Sequence, residues 1–125
     1  MESLLRTGLL LSAALAWGVS CNLDQDNDRD HVPPAGQGAL LVDNNTGDDI
    51  KVYVDGELLG TVGDYSDRAF DMSPGSYRVV LDENHGSRDY RDDVDILVDR
   101  LTVLDVQVNF DDFNADYDVE VFFDD

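Results

Sequence analysis

Residues 50–62 read IKVYVDGELLGTV and contain the strongest hairpin signal in the chain. Apolar residues occupy every second position from Ile50 to Val54, which is typical of a half-buried strand. Asp55-Gly56 follows, and such a pair favours a two-residue hairpin turn because glycine accepts the positive φ that the turn requires. Residues 57–62 then form the return strand. The stretch therefore predicts a β-hairpin.

The same two-residue period marks further strands on both sides of the hairpin. Asp, Asn, Gly and Pro separate them, and no long window has a helical period. The pattern predicts these strands at Leu40–Val42, Arg68–Met72, Tyr77–Leu81, Val94–Val98, Thr102–Phe110 and Tyr117–Phe123. Thr102–Phe110 alternates most cleanly, which indicates a sheet with one face in solvent. About seven short strands predict an all-β fold, a small single-domain β-sandwich.

The charge of the chain restricts its partners. There are 28 acidic and 8 basic residues, for a formal net charge of −20. Such a surface repels nucleic acid, so no nucleic-acid partner is expected, and it attracts divalent cations and basic proteins. Most of the carboxylates are interpreted as a shell that keeps the protein soluble.

Two turn motifs resemble the PEGA domain. Val52–Val62 is similar to that family's first hairpin, V-x-V-D-G-x-x-x-G, and Met72–Val79 is similar to its next signature, L-x-P-G-x-Y-x-V. Asp93–Val108 resembles its closing pair of strands, so the resemblance covers about residues 40–110. It implies a small β-sandwich of the bacterial envelope that acts as an interaction or spacer module, with no shared catalytic site.

The N-terminus reads as an export signal. Residues 1–20 combine Arg6 with a short apolar run at 9–16, which is too short to span a bilayer. Cys21 is the only cysteine and follows the small residues Gly18 and Ser20, an arrangement that resembles the lipobox of bacterial lipoproteins.

That resemblance implies a cleaved signal and a lipid anchor on Cys21, a diacylglycerol with further acylation such as palmitate. Asn22 in place of Asp favours the outer membrane of the cell envelope. The alternative is cleavage by an ordinary signal peptidase, which would leave a secreted or periplasmic protein with an unmodified Cys21.

The remainder divides into two parts. Residues 21–37 contain two prolines and several charges and are predicted to be an acidic, disordered tether. Residues 38–125 are predicted to be the PEGA-like β-sandwich domain with an acidic C-terminal segment.

A candidate calcium site lies in that segment, where oxygen ligands occupy every second position. Its residues are Asp112, Asn114, Asp116, Asp118 and Glu120. Calcium takes six to eight oxygen ligands, which a bent loop would supply. In an extended strand the same side chains point outward in parallel, and they would instead block edge-to-edge pairing of an edge strand.

Catalytic motifs are absent from the sequence. His31 and His85 have no partners at the spacing of a zinc site, and both are interpreted as solvated. Tyr65 and Tyr90 are expected to pack over the end of the sandwich. The sequence predicts a non-enzymatic envelope lipoprotein that contacts an envelope protein or a cell-wall partner. The alternative is a calcium-stabilised adhesion or ligand-binding module.

Overall fold

A computed structural model describes residues 28–111 and 116–124 of the chain. These residues form an all-β structure of two packed four-stranded sheets, so the predicted small β-sandwich is confirmed. The strands are β1 (Gly38–Asn44), β2 (Ile50–Val54), β3 (Glu57–Val62), β4 (Ser66–Met72), β5 (Gly75–Glu83), β6 (Asp89–Ile96), β7 (Leu101–Gln107) and β8 (Asp118–Asp124). No helix among these residues is long and apolar enough to cross a membrane.

The two sheets have the orders β4-β1-β7-β8 and β3-β2-β5-β6. We refer to them as sheet A and sheet B. Neighbouring strands are antiparallel except β1 and β7, which are parallel. The inner faces of both sheets supply the main core, in which Leu40, Val52, Leu81 and Leu104 are fully buried. The Thr102 hydroxyl donates to the Asp95 carbonyl at 2.7 Å and so joins β7 to β6.

The hairpin at Asp55-Gly56 has the predicted geometry. Asp55 has φ 50° and Gly56 has φ 85°, the two positive values of a type I′ turn. Asp99 also has a positive φ, 61°, in the predicted turn between β6 and β7. Two predicted strand ends are too long, because Val98 and Phe110 lie beyond β6 and β7 and are exposed.

Sheet A departs from the prediction of one solvated face. Its outer face carries a second apolar cluster formed by Ala39, Leu41, Leu101 and Val103, all buried, with Ala69 and Phe122 packed against it. β1 and β7 are therefore buried on both faces, as is usual for strands with parallel neighbours.

Residues 28–37 lie across this outer face, although the sequence assigned them to a disordered tether. We call them the strap. The Asp28 carboxylate accepts from the Ala69 N–H at 2.9 Å, and the Asp28 N–H donates to the Asp67 carboxylate. Arg29 binds Asp43 at 2.9 Å and lies 5.7 Å from the centre of the Phe122 ring. These hydrogen bonds and the ion pair hold the strap against the sheet, although the segment has few apolar groups of its own to bury.

Candidate interaction surface

The sequence-predicted site residues are only partly described. Cys21, Asp112 and Asn114 lie outside the described residues. Asp116 is exposed just before β8, and Asp118 and Glu120 lie within that strand. β8 is the outermost strand of sheet A, which places these acids on an edge strand.

Asp118 and Glu120 point to the outer face of sheet A. They lie in register with Gln107 and Asp105 of β7, and the four side chains line an open recess of about 250 Å³. The Asp105 carboxylate also accepts from the Asn45 side-chain amide at 2.7 Å. Within residues 28–111 and 116–124, no group of three or more His, Cys, Asp or Glu side chains is arranged to hold a metal ion. The calcium site stays a prediction, because part of its ligand set is not described.

A row of acids crosses all four strands of sheet A. Asp67, Asp43, Asp105 and Glu120 occupy one register row, on β4, β1, β7 and β8 respectively. Arg29 neutralises part of this row through its bond to Asp43. Burial raises the pKa of Asp67, and the neighbouring carboxylates of Asp43 and Asp28 raise it further. The row is thus a region of concentrated negative charge with few cations over it.

The hydrogen bonds of β7 determine which way the backbone of β8 faces. The N–H groups of Ala39 and Asn45 in and after β1 donate to the carbonyls of Arg100 and Val106. The even-numbered residues of β7 thus direct their backbone groups toward β1. The odd-numbered residues of β7 therefore direct theirs toward β8. Their partners in β8 are the even-numbered residues.

It follows that the odd-numbered residues of β8 direct their backbone groups away from the sheet. Val119, Val121 and Phe123 present N–H and C=O groups along the free edge, and none of the described residues bonds to these groups. Val121 and Phe123 are also 43% and 47% exposed, although they face the inner side of the sheet. β8 therefore combines three features: backbone groups without partners along its free edge, exposed apolar side chains and an acidic outer face.

The other conspicuous polar cluster has a structural role. Asn44 is fully buried, and its amide donates to the carbonyls of Asp48, Val62 and Gly63 at 2.8–3.2 Å. The Thr46 hydroxyl donates to the Asn44 side-chain oxygen at 2.7 Å. This network satisfies backbone carbonyls of the loop between β1 and β2 and of the end of β3, which would otherwise lack partners.

Both histidines contact a carboxylate. His31 in the strap lies 2.6 Å from Asp71, and His85 lies 2.8 Å from Asp48. The bond to Asp48 raises the pKa of His85, and the same bond lowers the pKa of Asp48. Both shifts favour the charged pair between the ordinary pKa values of the two groups, 3.8 and 6.5. The other side chain that bonds to His85 is the Asn84 amide, at 3.4 Å, and among the described residues no hydroxyl or thiol that could act as a nucleophile is bonded to either imidazole.

The tyrosines differ from one another. Tyr90 is half-buried and packs against the core as expected, whereas Tyr65 is 69% exposed and the packing expectation is wrong there. Tyr65 has φ 53°, so it belongs to a tight turn that turns its ring toward solvent. Tyr117 is buried, its hydroxyl has no hydrogen-bond partner among the described residues, and burial raises its pKa.

Comparison with known proteins finds no matching family model and no matching curated protein. The resemblance to the PEGA domain stays a prediction from the turn motifs.

Proposed function

We propose that this chain is a non-enzymatic lipoprotein of the bacterial cell envelope, anchored at the outer membrane by a lipid on Cys21. Its β-sandwich, a PEGA-like module, serves to contact another protein of the envelope. The observation that carries the contact role is the free edge of β8, where unpaired backbone groups lie beside the half-exposed Val121 and Phe123. Monomeric proteins usually cover or shorten such an edge.

The strap supports a short link between lipid and domain. Asp28, the first residue that the structure describes, is held against the sandwich and lies seven positions after Cys21. A fully extended chain of that length reaches about 25 Å. A lipid on Cys21 would therefore hold the sandwich close to the membrane, and the net charge of −20 would keep it from lying flat on anionic lipid.

Replacing Cys21 tests the anchor. In a Gram-negative host, the Cys21→Ala variant should move from the membrane fraction to the soluble fraction and lose incorporation of labelled palmitate. The matched control is Asn22→Ala, which changes the neighbouring residue and keeps the thiol, and it should retain both properties. Membrane-bound, labelled Cys21→Ala protein would overturn the lipid anchor.

A further inference from the structure

We propose that β8 binds an extended, cationic segment of a partner protein, which adds to sheet A as a fifth strand. The basic side chains of this segment would lie over Asp118, Glu120 and Asp124, and its apolar side chains would cover Val121 and Phe123. This inference rests on the proposed contact role of the domain and names the chemistry of its partner.

The backbone of β8 supplies the first requirement for strand addition. Val119, Val121 and Phe123 direct their N–H and C=O groups to the free edge, at the spacing of a normal ladder. Added strands gain most of their affinity from such main-chain bonds and their specificity from alternate side chains.

The apolar side chains supply the second requirement. β6 lies opposite β7, as the bond between Thr102 and Asp95 shows, and it reaches β8 only near its start, where the Tyr117 N–H donates to the Asp89 carbonyl at 3.3 Å. Val121 and Phe123 consequently face inward and yet keep 43% and 47% of their surface exposed. An added strand would bury these side chains against its own apolar residues.

The charge of the edge decides which strand can bind. Two copies of β8 paired antiparallel about Val121 would place Asp118 of each copy opposite Asp124 of the other. Each copy also carries a net charge of −20, so pairing between copies is disfavoured. Like charges on an edge strand commonly prevent self-association.

The same charges favour a basic partner. Lys or Arg at every second residue would lie on the outer face, beside the carboxylates of Asp118, Glu120 and the neighbouring Asp105. The acidic surface would also attract such a segment before contact and speed its association at low ionic strength. The charge of the edge thus disfavours pairing with a second copy of β8 and favours pairing with a basic strand.

Synthetic peptides test this inference with the full chain purified in detergent. An alternating Lys-Val heptapeptide that begins and ends with Lys should bind, with affinity falling at least tenfold between 50 and 300 mM salt. A peptide of the same composition with its lysines and valines in separate blocks should bind at least tenfold more weakly, because it cannot match both faces of β8. Equal binding of the two peptides would overturn the proposal.

N-methylation of the alternating peptide tests the backbone pairing. If the peptide adds antiparallel to β8, its valine N–H groups face the edge, so methylation at the valines abolishes binding and methylation at the lysines preserves it. If it adds parallel, the two results exchange. Binding by both methylated peptides, or by neither, would contradict strand addition.

Variants of the protein locate the site. Phe123→Lys should weaken binding of the alternating peptide at least tenfold, because it places a like charge on the covered face. Leu58→Lys is the matched control, since Leu58 is 52% exposed on β3, at the edge of sheet B, and its replacement should leave affinity unchanged. Equal effects of the two substitutions would place binding elsewhere.

The result of the peptide-binding experiments can be distinguished from that of the Cys21→Ala experiment. Peptide binding without membrane anchoring would leave an interaction module that is held by other means. Anchoring without peptide binding would leave a spacer and overturn the inference on β8 alone.

Discussion

The two edges of sheet A are built in opposite ways. On β4, the strap covers the edge: Asp28 accepts from the Ala69 N–H and bonds to Asp67, and His31 contacts Asp71. On β8, none of the described residues occupies the corresponding position. Both edges present the backbone groups of alternate residues, so the difference lies in what the chain places beside them.

This contrast shows that a segment lying beside a strand edge needs polar contacts to hold it there. The strap supplies two groups: Asp28, which accepts from the Ala69 N–H, and Arg29, which binds Asp43 and lies over the Phe122 ring. Arg29 reaches β8 only on its outer face, at the Phe122 ring, and the acids of that strand, Asp118, Glu120 and Asp124, repel a second acidic strand. The strap thus bonds to one edge of the sheet, at the Ala69 N–H and the side chains of Asp67 and Asp71, whereas the other edge carries acidic side chains that disfavour self-pairing.

Removing the strap should have the largest effect. A soluble chain beginning at Gln37 should be less stable than one beginning at Asp28 by about 2–4 kcal/mol, because Leu41, Leu101 and Val103 lose cover. The entropy regained by the removed residues offsets part of the loss. Urea unfolding followed by circular dichroism measures the difference, and a hydrophobic dye should bind the shorter chain.

A chain beginning at Gln37 with an unchanged unfolding midpoint would contradict the role of the strap. The shorter chain keeps the bond from the Asp99 N–H to the Gln37 carbonyl, 2.7 Å long, so the start of β1 is not disturbed.

Proline substitutions test the assignment of the free edge. Phe122 bonds its N–H toward β7, whereas Val121 directs its N–H to the edge. Phe122→Pro should therefore cost about 2 kcal/mol more than Phe122→Val, which removes the ring and keeps the N–H. Val121→Pro should cost about 1 kcal/mol, mainly through lost side-chain contact.

Thermal unfolding of the three variants gives the comparison. A Val121→Pro variant as unstable as Phe122→Pro would mean that the Val121 N–H is already bonded, and the edge would not be free.

Sequence periodicity predicts the strands well where one face is wet and one is dry. Ile50–Val54 follows that rule, and both it and its hairpin partner are where the pattern places them, although the partner does not alternate in burial. The rule fails at β1 and β7, since each is buried on both faces. The unbroken apolar run at 39–42 is a signal of such burial, and it indicates that something covers the outer face.

The strap and the acidic row were harder to predict. Asp28 and Ala69 are 41 positions apart, and the polar composition of the strap is the same as that of a disordered segment. Asp118 and Glu120 share a face by the two-residue period alone. Their neighbours Asp105 and Gln107 become visible only with the register of β7 and β8, which no local pattern determines.

The smallest expected effect concerns the carboxylate of Asp67 beneath the strap. Burial and two neighbouring acids raise its pKa, so the folded state binds protons more readily than the unfolded state and loses stability as pH rises above the ordinary value of 3.8. Asp67→Asn keeps an oxygen for the Asp28 N–H and removes the charge, so it should raise stability at pH 7 by about 0.5 kcal/mol. Urea unfolding at pH 7 and pH 3 should show this gain shrinking in acid, where the parent carboxyl is also neutral.

Asp67→Ala is the control, because it removes the acceptor as well and should lower stability at pH 7 by about 1 kcal/mol. If Asp67→Asn destabilises as much as Asp67→Ala, the charge of the Asp67 carboxylate itself holds the strap. The β4 edge of the sheet would then depend on electrostatics as much as the β8 edge does.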